Sequence, residues 1–190
     1  TGDAQNNYQF SYQTGKLTIG KRDDLAITTF ADNSKEYDGT AITLSAAETN
    51  ELGGETSVMY SVKGKDSWTY NINDISAKNV SDSVTVEVKA TNPNYSNTAT
   101  AEAKLTIRAR EITVKADDLS VVYDGTEKTV NTSKITSENK LIGAETTYSV
   151  TFTNNTRTNE GTQTVNISNA IVTGDAQNNY QFSYQTGKLT

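Results

Sequence analysis

The chain has 190 residues and a formal charge of −6, and it contains neither cysteine nor histidine. Disulfides, thiolate and imidazole metal sites, imidazole-dependent triads and the commonest general base are therefore excluded. The charge balance has no basic stripe that would suit nucleic acid, and no run of 18 apolar residues inserts this segment into a membrane.

The first element in chain order is also the last. Residues 173–190 repeat residues 1–18 letter for letter (TGDAQNNYQFSYQTGKLT), a period of 172. Internal repetition of this complexity sets the architecture before any local pattern does. The period divides further, because Tyr37-Asp38-Gly39-Thr40 recurs 86 residues on as Tyr123-Asp124-Gly125-Thr126. Asn94-Tyr95 running on to Leu105-Thr106-Ile107 matches Asn179-Tyr180 running on to Leu189-Thr190. The expectation is two diverged modules, A over residues 20–108 and B over 109–190, with 1–19 the terminal strand of a preceding B module.

Strand signals dominate both modules. Apolar residues alternate at Val58, Tyr60 and Val62, at Val84, Val86 and Val88, and at Ala101, Ala103, Leu105 and Ile107. The second module matches with Ile112 and Val114, then Tyr148, Val150 and Phe152, then Val165 and Ile167, then Tyr180, Phe182 and Tyr184. Period-2 alternation in short runs bounded by Gly, Asn and Asp predicts antiparallel sandwich strands with one wet face. The predicted core adds Ile27 and Leu44 in A, and Val122 and Val130 in B. Residues 45–52 (SAAETNEL) are the best window for a turn or two of helix. Asp-Gly in the repeated Tyr-Asp-Gly-Thr reads as a structural hairpin turn, with its tyrosine able to pack at a module boundary. The segment 107–112 holds no Gly or Pro, which predicts a stiff connection dividing the modules near Arg108-Ala109-Arg110.

Few residues suggest chemistry. Asp23-Asp24 and Asp117-Asp118 sit at the module starts, where Ca²⁺ could stiffen a junction. They lack the spacing of a calcium loop and read as solvated surface acids, so no cofactor or metal is expected. Trp68 and Tyr70 share a strand face and are the candidate ligand contact, since aromatic faces stack on sugar rings. A sandwich-core tryptophan is the competing and favoured reading. No catalytic residue is identifiable, and no trio for an intramolecular Lys–Asn cross-link stands out.

With Tyr-Asp-Gly-Thr, the closing Asn-Tyr … Gly-Lys-Leu-Thr and the linker 107–118 in view, the chain resembles the MBG family of bacterial immunoglobulin-like repeats. The opening motif is Lys35 to Thr40 in A and Val121 to Thr126 in B. A departs at Ala103, where a glycine should precede Leu105, and B departs at Val121, which replaces the lysine. The resemblance implies an all-β fold of two tandem immunoglobulin-like antiparallel sandwiches arranged end to end. It implies a non-enzymatic stalk repeat of a cell-wall-anchored bacterial surface adhesin, partnered by neighbouring repeats. The alternative is a repeat that itself binds host mucin, glycan or matrix protein, with avidity from repetition. Residues 1–18 carry Tyr8, Phe10 and Tyr12 away from any cognate core, so they are expected to be mobile or to dock on another chain.

Overall fold

A computed structural model describes residues 7–144 and 146–190. The strands of the first half are β1 (Ile27–Thr29), β2 (Asn33–Glu36), β3 (Glu48–Thr49), β4 (Ser57–Val62), β5 (Val84–Thr91) and β6 (Ala99–Arg108). Those of the second are β7 (Arg110–Ala116), β8 (Lys128–Thr129), β9 (Ser133–Ile135), β10 (Thr147–Thr153), β11 (Thr156–Arg157), β12 (Gln163–Thr173), β13 (Tyr180–Gln185) and β14 (Gly187–Leu189). Every strand pairing among the described residues falls within 22–108 or within 110–190. Ala109 alone separates β6 from β7.

In the first half a four-stranded sheet runs β2-β6-β5-β4, and β1 pairs with β3 in a second layer that the Ile42↔Ala77 bridge extends. The second half has the same plan. β10-β12-β14 form one sheet, β13-β7-β9 the other, and β8 pairs with β11. In each half the opening segment starts in one sheet and crosses to the other. β1 pairs with β3 before β2 joins β6, and β7 pairs with β9 before Leu119 bridges Leu189 of β14. The chain is thus all-β and immunoglobulin-like, two layers closed over apolar side chains.

Alternation decides which side chains fill the core. In β5, Val86, Val88 and Ala90 are buried while Thr85 and Glu87 turn outward, and β6 answers with Ala103, Leu105 and Ile107. A slip of one residue would reverse every one of these. Ile112, Val114, Val130, Val165, Ile167 and Tyr180 fill the second half. Ile27, Val58, Val84, Tyr148, Val150, Phe152 and Phe182 pack against the core from partly buried positions.

Several expectations change. Pairing is mostly antiparallel, but β2–β6 and β7–β13 run parallel, a direction that alternation alone does not encode. Residues 45–52 form no helix; Glu48–Thr49 pair with β1, and tertiary pairing overrides a weak helical preference. Val122 is no core residue: it is 88% exposed because it lies past the last backbone bond of its edge, Val121 N–H to Thr190 O. Val62, at the end of β4, is only half-buried. The Tyr-Asp-Gly-Thr turn is not a hairpin, since β2 lies beside β6 while Ile42 beyond the turn lies beside Ala77 in the other layer. It carries the chain between layers. Asp38 Oδ1 accepts from the Thr40 N–H (2.9 Å) and Oγ1 (2.8 Å), and Gly39 takes φ +79°. Asp124, Thr126 and Gly125 repeat this geometry, also with φ +79°. A lysine caps each aspartate, Lys35 before the first turn and Lys128 after the second.

Of the duplicated segment, residues 1–6 lie outside the described residues. Residues 8–19 carry no strand, and Tyr8, Phe10, Tyr12, Leu17 and Ile19 are between 66% and 90% exposed.

Candidate functional site

The two halves meet around Tyr37, whose ring stands edge-on to that of Tyr180, with 5.6 Å between centroids. Both rings are buried, at 3% and 6% exposure. The edge of one ring on the face of the other is the arrangement the aromatic quadrupole favours. Both hydroxyls donate to Asp175 Oδ2, at 2.5 Å from Tyr37 and 2.8 Å from Tyr180. The Ile142 N–H donates in turn to the Tyr180 hydroxyl at 3.0 Å. Burial pushes both phenols up, and the neighbouring carboxylate adds to it; Tyr180 reaches about 12 and Tyr37 goes higher. Burial opposes the charge on Asp175, yet hydrogen bonds from Tyr37, Tyr180, the Ala176 N–H and Asn179 outweigh it. They hold the carboxyl below its ordinary range.

Three further contacts fasten the junction. Asn179 is fully buried; its amide donates to Asn79 Oδ1 (2.9 Å) and Asp175 Oδ1 (3.2 Å), and its oxygen accepts from the Val80 N–H (3.0 Å). A buried amide placed this way leaves nothing unsatisfied. Arg110 Nη1 reaches Glu36 Oε1 at 3.1 Å and the Tyr37 carbonyl at 3.3 Å, while Asn139 donates to the same Glu36 oxygen at 3.1 Å. Gly39 lies so close to Ile142 that a Cβ there would fall 2.8 Å from Ile142 Cγ2. Sequence reading anticipated that the motif tyrosine could pack at a boundary. It missed Asp175 and Asn179, for which the only signal was their place just before the closing Tyr180.

Trp68 and Tyr70 lie elsewhere. Tyr60 and Thr69 bridge antiparallel, so Thr69 shares the inward side of Tyr60 and its two neighbours turn outward. Trp68 is therefore not a core tryptophan. It is half-buried on the outer face of the four-stranded sheet, with Lys89 Nζ 3.9 Å from its ring centroid. A shallow hollow beside it is lined by Glu87, Thr100 and Glu102 but not by Tyr70, which is 71% exposed. Three of the four paired acids are spent on cations: Asp24 on Arg22, Asp117 on Lys134 and Asp118 on Lys115. No group of three or more acids among the described residues is placed to hold a metal ion.

No protein-family model matches the chain, and no curated protein matches it. Among solved structures it is similar to a chimeric titin Z1Z2-Z1Z2 tandem, at 13% identity and TM-score 0.34 over 86% of this chain and 96% of that one. It is similar to Drosophila N-cadherin EC1-4, at 9% identity and TM-score 0.36 over 89% of this chain and 49% of that one. For Drosophila OTK extracellular domains 3-5 the figures are 14% and 0.32, over 90% and 67%. Likenesses of this size carry no functional argument.

Proposed function

We propose that the chain is a non-enzymatic spacer. In this reading residues 20–108 and 109–190 are two modules set end to end in the stalk of a bacterial cell-surface adhesin of MBG type, outside the cell, with neighbouring repeats as their partners. The observation that carries it is the junction: a one-residue connection at Ala109, fastened on its sides by the Tyr37–Asp175–Tyr180 bonds and the buried Asn179. Rotation between halves would break bonds to buried polar groups, each costing about 1–3 kcal/mol, so the link keeps its angle and transmits length.

Small-angle scattering tests the reading. Strands of this length with their loops give a module about 35–45 Å long, so two in line span about 70–90 Å. A compact side-by-side particle would remove the spacer reading. The outward placement of Trp68 and the exposure of Tyr70 favour a second reading, a repeat that binds glycan or matrix directly. A glycan array on wild type and on Trp68→Ala separates the two, since a pure spacer retains no sugar.

A further inference from the structure

We propose that two copies of this chain associate side to side through the free edge of β10 (Thr147–Thr153), the two strands pairing antiparallel about a two-fold axis at Val150. β10 ends the β10-β12-β14 sheet. Its strand partners all lie on β12, and among the described residues no backbone bond reaches it from the other side. Every second residue of such a strand directs its N–H and C=O away from the single partner, so a row of backbone donors and acceptors stands unpaired. The residues that commonly blunt an edge are missing. Thr-Tyr-Ser-Val-Thr-Phe-Thr contains no charge, no proline and no glycine.

The first half treats its matching strand differently. β4 is also uncharged. Residues 63–70 fold back along its free side, where the Tyr60 N–H donates to the Thr69 carbonyl at 2.8 Å and the Thr69 N–H to the Tyr60 carbonyl at 2.9 Å. Ser61 is covered there at 1% exposure, its hydroxyl donating to the Lys65 carbonyl at 2.9 Å. In the second half the chain leaves β10 through residues 154–162 instead, and β11 within that stretch pairs with β8. Ser149, in the sequence place of Ser61, is exposed. The open edge is built into this half by a connection that goes elsewhere.

The strand itself specifies the occupant. Read from either end, TYSVTFT gives the same succession of side-chain kinds. Antiparallel pairing about Val150 sets Thr147 opposite Thr153, Tyr148 opposite Phe152, Ser149 opposite Thr151 and Val150 opposite its copy. The exposed Thr147, Ser149, Thr151 and Thr153 then meet hydroxyl to hydroxyl on the outer face, while the half-buried Tyr148, Val150 and Phe152 meet on the core side. Hydroxyl pairs and aromatic pairs both stabilise facing strands, and Thr147 already bonds Thr173 of β12 in this manner. No charge is buried in the contact or set against its like. The contact is isologous and closes at two copies. An edge of 7 residues at about 3.4 Å each is roughly 24 Å long. That lies at the small end of protein interfaces, below about 1,200 Å², so the dimer forms at high protein concentration.

Sedimentation over a concentration series reads the dimer, and the exposed positions 149 and 151 read its register. In Ser149→Lys/Thr151→Lys the two-fold sets lysine against lysine twice, and in Ser149→Glu/Thr151→Glu it sets glutamate against glutamate. The expected result is a monomer–dimer equilibrium for wild type, loss of the dimer in each variant alone, and a heterodimer when the two variants are mixed. That heterodimer also shows that both variants fold. The chain has no cysteine, so Ser149→Cys and Thr151→Cys, mixed and mildly oxidised, should link to each other several-fold faster than either links to itself. A wild type that stays monomeric at every concentration overturns the proposal. So does association that survives in the lysine variant, which places the contact elsewhere, and so does a mixture of the two charged variants that stays monomeric. Scattering from dilute chains measures the length of one molecule, so the spacer reading stands or falls separately.

Discussion

Tyr37 and Tyr180 aim both phenolic hydroxyls at one oxygen of Asp175, a half-buried residue in the loop before β13. Both phenols hold their protons more tightly in the folded chain than in an unfolded one. Their contribution is therefore complete below the ordinary tyrosine pKa of about 10. It declines as pH rises from there through about 12, the value for Tyr180. Asp175 acts in the opposite sense. Its pKa is depressed, so its contribution is present above the ordinary carboxylate range and is lost as pH falls through the folded value. Denaturant unfolding at neutral pH and above pH 10 should show an alkaline loss of stability that Tyr37→Phe reduces. Equal losses in wild type and variant would mean that the junction tyrosine does not control it. The role of Asp175 was not legible in the sequence, where it is a lone acid in a polar loop with no partner close by in the chain except Tyr180. A carboxylate acquires its role here from two rings that are 138 and five residues away.

At the scale of elements, β5 and β6 are where the sequence speaks most clearly. Val86 is fully buried and its neighbour Thr85 faces outward, opposite Lys104. Val86→Ala should cost about 1–3 kcal/mol, and Thr85→Ala should stay within about 0.5 kcal/mol. Comparable shifts in denaturation midpoint would place the strand in the other phase. Alternation exposed this phase because each of these strands is buried on one face only. It failed where the cause lies outside the strand. Tyr37 and Tyr123 open the same four-residue motif, yet one is buried and the other exposed, because only the first has Tyr180 standing against it. Val122 faces water because it sits out of phase with Leu119, which packs on the core, and it lacks the neighbour that Glu36 has in Arg110. Trp68 looked like core because tryptophan usually is, but the bridge at Tyr60↔Thr69 fixes its side. The parallel pairings were beyond reach, since a strand's alternation is the same whichever way its neighbour runs.

For the whole molecule, one apolar cluster runs without a break from Leu44 and Leu105 through Tyr37 to Tyr180, Ile112 and Leu189. Two units that share side chains in this way should melt together. Calorimetry of the wild type should give one transition with matching calorimetric and van't Hoff enthalpies, and Tyr37→Ala should split it in two. Two independent transitions in the wild type would show that the junction is energetically silent.

The parallel pairs, β2 with β6 and β7 with β13, have a mechanical meaning. In each half an opening strand points the same way as a closing strand beside it. A tug on the two chain ends of that half enters at the start of the first strand and leaves from the finish of the second. The bonds between them are then loaded in shear, all sharing the force at once. Antiparallel partners held at neighbouring ends would instead unzip bond by bond. The fold thus meets tension along the direction in which its hydrogen bonds resist together.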